Sequence, residues 1–211
     1  MECIFIHGMA QWGFDWDEVI TSIRKTATLD AEAIDLWPLL ADQEATYQNL
    51  YQGFVQHLET LDMKPPYKLC GMSLGGRLAL NYAIDYPDNV HSLMAIGVHP
   101  KTLSSQLWRQ KIMFKVTPKA AFARTGLSKA QTMSLCASLA KVDLREKVKN
   151  ITCPAAILYG EKDDKHIQAS AQYLADNIPH ATLGSVANAG HLVHLENPQG
   201  LAEKVVAFFQ L

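Results

Sequence analysis

Short apolar runs alternate with stretches of helical periodicity along most of this chain. The runs at residues 3–6, 31–36, 67–71, 92–98, 155–159 and 181–186 read as strands. Between and after them, residues 15–24, 44–61, 74–86, 167–177 and 198–209 carry the spacing of helices. Strand and helix in strict turn are the pattern of a parallel sheet with crossover helices. Asp15, with Glu18 three residues on, reads as a capping box, which makes those carboxylates structural. Pro65-Pro66 and Pro87-Asp88 punctuate the pattern as loops. Residues 98–149 fit the alternation least: two or three short helices, interrupted at Pro118 and Gly126, stand between two strands. Insertions at the C-terminal ends of parallel strands lie over the binding crevice. The expectation is therefore a single α/β domain over residues 1–211, with a short helical lid at about 99–149.

Composition narrows the class without naming a function. The 211 residues suffice for one domain with a sizeable core, and 48 % apolar with 19 % charged residues is ordinary for a soluble globular protein. No apolar run approaches the length that spans a bilayer. Met1-Glu2-Cys3-Ile4-Phe5-Ile6 reads as a strand beginning at once, not as a signal peptide. Cys3, Cys70, Cys136 and Cys153 are scattered, which points to free buried thiols and a cytoplasmic location. No nucleic-acid partner is expected, because recognition motifs are absent and the pI is about 6.4.

The net charge of −2 hides an asymmetry. No Asp or Glu occurs between Asn89 and Val142, while Lys101, Arg109, Lys111, Lys115, Lys119, Arg124, Lys129 and Lys141 do. The basic stretch coincides with the expected lid. It reads as a solvated face, as a recognition surface for an anionic acyl or thioester substrate, or as a membrane-docking helix. The last would use Leu107, Trp108, Ile112, Met113, Phe114 and Val116 between the cations.

One segment carries chemistry on its face. Gly71-Met72-Ser73-Leu74-Gly75 lies between a strand and a helix, the context in which G-x-S-x-G holds a nucleophile. A serine on so tight a turn adopts a strained backbone, and its neighbours two residues away must be small. A base must take its proton and a third group must orient that base. His191, after Gly190 and before Glu196-Asn197-Pro198, follows the last strand and reads as the base; His194 reads as packing. Asp163 ends the turn after Gly160 and reads as the orienting acid, with Asp164 and Glu161 as competing assignments. Backbone N–H groups of Leu74 and Met9 would face an oxyanion, and His7 would pin the loop that holds Met9. His191-x-x-His194-x-Glu196 matches no trusted ligand spacing, so no metal or cofactor is expected.

Phe5-Ile6-His7-Gly8-Met9, Gly71-Met72-Ser73-Leu74-Gly75-Gly76, Gly160-x-x-Asp163 and Gly190-His191, in that order, resemble the α/β-hydrolase fold serine hydrolases over nearly the whole chain. The resemblance implies Ser73, Asp163 and His191 as a triad and Met9 and Leu74 as oxyanion donors. Gly8, Trp37, Met72, Arg77 and Trp108 are the residues expected to contact substrate. It implies cleavage of small carboxylic esters or thioesters, with no cofactor. The family usually opens with an antiparallel strand pair, which is missing here and leaves about six strands. Leu36-Trp37-Pro38-Leu39-Leu40 stands where most members have a Gly-rich turn. The elbow through Leu80 is also similar to the menaquinone-pathway lyase that forms the SHCHC intermediate (SHCHC synthase), in which an arginine matching Arg77 contacts a substrate carboxylate. The remaining alternative is a non-catalytic small-molecule binding module.

Overall fold

The computed structural model describes residues 2–102, 117–118, 122 and 125–211. Its centre is a six-stranded, all-parallel sheet: β1 (Glu2–Ile6), β2 (Asp30–Ile34), β3 (Tyr67–Met72), β4 (Val90–Ile96), β5 (Ala155–Gly160) and β6 (Ala181–Val186). The order β2-β1-β3-β4-β5-β6 reverses direction between β1 and β3. At such a switch point the loops leaving the two strands diverge and open a crevice at the carboxyl end of the sheet.

Alternation along each strand explains why helices cover both faces. Ile4 and Ile6 of β1, with Leu69 of β3 and Leu93 of β4, pack beneath α2 (Tyr47–Thr60), α3 (Leu74–Asp85) and α5 (Lys165–Asn177). Cys3 and Phe5, with Cys70, Met72, Met94 and Ile96, pack against α1 (Asp17–Arg24) and the last helix, Pro198–Phe209. Phe5 meets Trp16 with ring centroids 5.2 Å apart. Each fully buried Ile, Leu or Phe in these layers contributes roughly 1.5–3 kcal/mol of transfer free energy.

Several boundaries differ from the sequence expectation, and three of them have a clear local reason. The second strand stops at Ile34, because the Leu36 N–H is given to the His7 imidazole, 3.0 Å away, instead of to a neighbouring strand. The fourth stops at Ile96, where Gly97 turns the chain with φ +61°. Asp15 caps backwards: its carboxylate accepts the Trp12 N–H at 2.8 Å and closes the short 3-10 turn Gly13–Trp16 ahead of α1.

Between β4 and β5 the structure describes a bridge between Lys101 and Asp143, the helix α4 (Lys129–Leu139) and a 3-10 turn, Val148–Asn150. Ser128 and Gln131 cap α4 reciprocally. Residues 103–116, 119–121 and 123–124 lie outside the described residues, and Trp108 with most of the basic stretch falls among them. No helix among the described residues is long and apolar enough to cross a membrane.

Candidate active site

Ser73 occupies the turn between β3 and α3 with φ +51° and ψ −106°, a conformation L-residues rarely adopt. The strain is held from several sides. The Ser73 N–H donates to the Ile96 carbonyl at 2.8 Å, and the Ser73 carbonyl accepts the Arg77 N–H at 3.0 Å. A Cβ on Gly71 would stand 2.6 Å from the Gly75 carbonyl, and one on Gly75 would collide with the Ile6 carbonyl. The two glycines therefore let helix α3 start directly against the ends of β3 and β1.

The loop after β1 is built to be rigid. His7 is fully buried; its Nδ1 donates to the Gly8 carbonyl at 2.8 Å and its Nε2 accepts from Leu36. Burial holds the imidazole below its ordinary pKa, which suits a neutral ring with one donor and one acceptor. The Gly8 N–H donates to the Gln11 side chain at 2.6 Å, and the Gln11 carbonyl accepts the Trp37 indole N–H at 2.7 Å. Among the described residues, neither the Met9 N–H nor the Leu74 N–H donates to any acceptor.

The imidazole of His191 bridges the other two groups. Its Nε2 is 3.2 Å from the Ser73 hydroxyl and its Nδ1 is 3.0 Å from Asp163 Oδ2. The Asp163 side chain is 4 % exposed and that of His191 is 40 % exposed, so the acid is shielded while the ring stays partly open to solvent. Asp163 Oδ1 accepts the Asp164 N–H at 2.8 Å. The competing carboxylates are used elsewhere: Asp164 caps α5 through the His166 N–H, and Glu161 accepts the Asn188 N–H at 3.0 Å. Gly160 makes the meeting of these loops possible, since a Cβ there would stand 2.5 Å from the Ala189 carbonyl.

The expected substrate contacts divide. Gly8 and Met9 lie beside the elbow. Trp37 is buried on His7, with ring centroids 5.1 Å apart, and Met72 is fully buried between the sheet and its helices. Arg77 is buried as well. Its Nε and Nη2 donate to the His99 carbonyl, and its Nη1 donates to Thr102 Oγ1 and the Leu139 carbonyl at 3.1 and 3.3 Å. The guanidinium thus fastens the loop after β4 to the end of α4, and the substrate carboxylate contact implied by the lyase resemblance is not part of this arrangement. Trp108 lies outside the described residues.

Two participants were not singled out from the sequence. Gly97 lies under the imidazole: a Cβ there would be 3.1 Å from His191 Cε1. Its signal was a glycine at the end of a strand, the same signal that marked Gly160. His99 Nδ1 pairs with Ser170 Oγ at 2.7 Å beside the site. Burial, then the nearby Arg77 and His191, brings its pKa down to about 4, against the opposing pull of Asp163 and Asp164.

A strained serine, a bridging imidazole and a shielded carboxylate at the carboxyl edge of a parallel sheet define a class. The chain belongs to the alpha/beta hydrolase fold family, whose pattern matches residues 40–152. Among characterised relatives, 3-oxoadipate enol-lactonase 2 of Acinetobacter baylyi is 25 % identical over 68 % of this chain and 63 % of its own length. The 2-succinyl-6-hydroxy-2,4-cyclohexadiene-1-carboxylate synthase of Salmonella arizonae is 30 % identical over 68 % of each chain. The chain thus spans about two thirds of the length of either relative. Solved structures of an enol-lactonase from Burkholderia xenovorans LB400 and of a hydrolase from Pseudomonas aeruginosa PA01 share the fold. The TM-score is 0.82 for both, at 17 % and 15 % identity over the whole of this chain, 91 % of the lactonase and 90 % of the hydrolase. Fold and relatives together support a hydrolase-type activity.

Proposed function

We propose that the protein is a serine hydrolase of small carboxylic esters or thioesters, a single domain with a lid between β4 and β5. The observation that carries the proposal is the single imidazole of His191 within hydrogen-bond reach of both Ser73 and Asp163. His191 takes the Ser73 proton as the oxygen attacks the acyl carbon, and Asp163 holds the ring in the tautomer that accepts it. The N–H groups of Met9 and Leu74 stabilise the tetrahedral oxyanion from fixed positions. The leaving group departs with the proton from His191, and a water activated by the same ring releases the acid. The four cysteines, all buried and free, suit a reducing, cytoplasmic setting.

The lactonase's name fits an acyl-transfer frame, since an enol-lactone is a cyclic ester. The synthase reading is less well supported, because Arg77 is engaged within the protein. Ser73→Ala should lower turnover of 4-nitrophenyl acetate by about ten-thousand-fold or more, the scale on which a triad serine acts. It should also abolish labelling by a fluorophosphonate while leaving the circular dichroism unchanged. A folded Ser73→Ala protein that hydrolyses the ester at the parental rate overturns the proposal.

A further inference from the structure

The loop carrying the proposed oxyanion donor is held from two directions. His7 and the Gln11 side chain pin its first half at Gly8. Ala10, directly after Met9, has φ +62°, a backbone that alanine rarely adopts and that the surroundings must hold in place. On that second half the segment between β4 and β5 makes contact. Met9 is half-buried against the main core and against Phe122 and Cys136, and the Cys136 thiol donates to the Met9 sulfur at 3.5 Å.

Cys136 lies one turn from the end of α4, where its carbonyl accepts the Ala140 N–H at 3.2 Å. The last residue of α4 is Leu139, and its carbonyl accepts from Arg77 Nη1 at 3.3 Å. The final carbonyls of a helix have no partners within it and carry partial negative charge, so a buried guanidinium fastens them well. Arg77 also reaches the other stem of the insertion, at the His99 carbonyl and Thr102 Oγ1. Its own N–H closes on the Ser73 carbonyl, one turn past the nucleophile. One side chain thus joins the elbow helix to both stems of the lid, at the turn of α4 that touches Met9. Other contacts keep the region folded: the Tyr47 N–H donates to Ser138 Oγ at 2.7 Å, and the Leu144 N–H to the Pro100 carbonyl at 3.0 Å. Loss of the guanidinium should therefore shift α4 rather than melt it.

The geometry points to Arg77 as a positioning residue for the oxyanion hole. By gripping the end of α4 it holds Cys136 against Met9, and so fixes the direction of the Met9 N–H. The catalytic consequence rests on the Ser73 reading, while the grip itself can be tested without turnover.

The first arm is kinetic, with Arg77→Met concentrations set by fluorophosphonate titration of active sites so that unfolded protein does not count. The kcat for 4-nitrophenyl acetate should fall about tenfold, less than the loss of an oxyanion donor outright, with KM little changed. The inhibition constant of 1,1,1-trifluoro-2-butanone should rise by the same factor. Ser73 Oγ adds to that carbonyl carbon, the proton passes to His191, and the hemiketal alkoxide occupies the oxyanion site. A parental kcat per titrated site, or a change confined to KM, overturns the proposal while leaving a serine hydrolase in place.

The second arm follows iodoacetamide labelling of each cysteine by mass spectrometry. Burial pushes the Cys136 thiol up to about 11, so the parent should label slowly there. In Arg77→Met, Cys136 should label about tenfold faster, with Cys3 and Cys70 in the sheet unchanged. An unchanged Cys136, or all three rising together, overturns the proposal. If the parent cleaves no ester, the serine hydrolase reading fails, and the labelling alone decides whether Arg77 holds α4 on Met9. Should Arg77→Met not fold, Arg77→Lys decides both arms, at about threefold, because it keeps the charge and loses the planar fork.

Discussion

Two histidines three residues apart occupy opposite kinds of environment. His191 stands on the rim of the crevice, 40 % exposed at its side chain, with both ring nitrogens engaged. His194 points the other way into the core, fully buried beside Trp16 at a centroid distance of 5.0 Å, and among the described residues neither of its ring nitrogens has a hydrogen-bond partner. The chain between them is pinned so that the two directions cannot exchange. The Glu196 carboxylate accepts the N–H groups of Gly190 and Leu192 at 2.8 and 3.2 Å, and the Asn197 amide donates to the Ala187 carbonyl at 2.8 Å. Residue type therefore says little about role. The wiring of the nitrogens separates a ring bridged between a hydroxyl and a carboxylate from one held neutral in the interior.

The contrast breaks most visibly at His191. His191→Ala should cost about ten-thousand-fold in kcat/KM for 4-nitrophenyl acetate, since the serine loses its base. The thermal midpoint should hardly move, because the ring is half exposed. Chemical denaturation beside kinetics checks both halves, and a destabilised but active protein would reverse the roles assigned to the two rings. Asp163→Asn should cost somewhat less, about a hundred- to ten-thousand-fold, because an amide in that place can favour the wrong imidazole tautomer. A parental rate for a folded Asp163→Asn enzyme would pass the orienting role to another residue.

How much of this was legible in the sequence depends on whether the signal is local. The elbow was, because two glycines around a serine between a strand and a helix answer one steric demand that all act within five residues. The strands and the helices at the C-terminal half were also clear, helped by Asn197-Pro198, where Asn197 accepts the Gly200 N–H at 2.9 Å to start the last helix. The sequence favours Asp163 over Asp164 and Glu161 without separating them; in three dimensions it is Asp163 whose Oδ2 lies 3.0 Å from His191 Nδ1, while the other two hold backbone N–H groups. Arg77 and Met72, expected at the substrate, show a related limit. Their positions near Ser73 in sequence say nothing about the face of α3 or β3 on which they fall, and both turn inward. The buried use of Arg77 depends on carbonyls 22 and 62 residues away, which no local pattern announces.

The smallest effect concerns the buried ring and its pH dependence. Burial brings the His194 pKa down to about 4, with His7 and His191 acting in the same direction and Asp15 and Glu196 opposing. In the unfolded chain the same ring titrates near 6.5. On acidification the unfolded state therefore takes up the proton first. The group leaves stability intact above about pH 6.5, and it erodes stability as the pH falls from there toward 4, by about 1.4 kcal/mol per pH unit. His99, also brought down to about 4, adds a slope of the same sign. His194→Leu keeps the volume and removes the titration, so its urea-unfolding free energy should fall less steeply between pH 6 and 4.5. The difference from the parent should be about 1.4 kcal/mol per unit. Parallel curves for parent and variant would mean that the core ring already carries its proton or has found water, and the distinction between rim and core would lose its electrostatic basis.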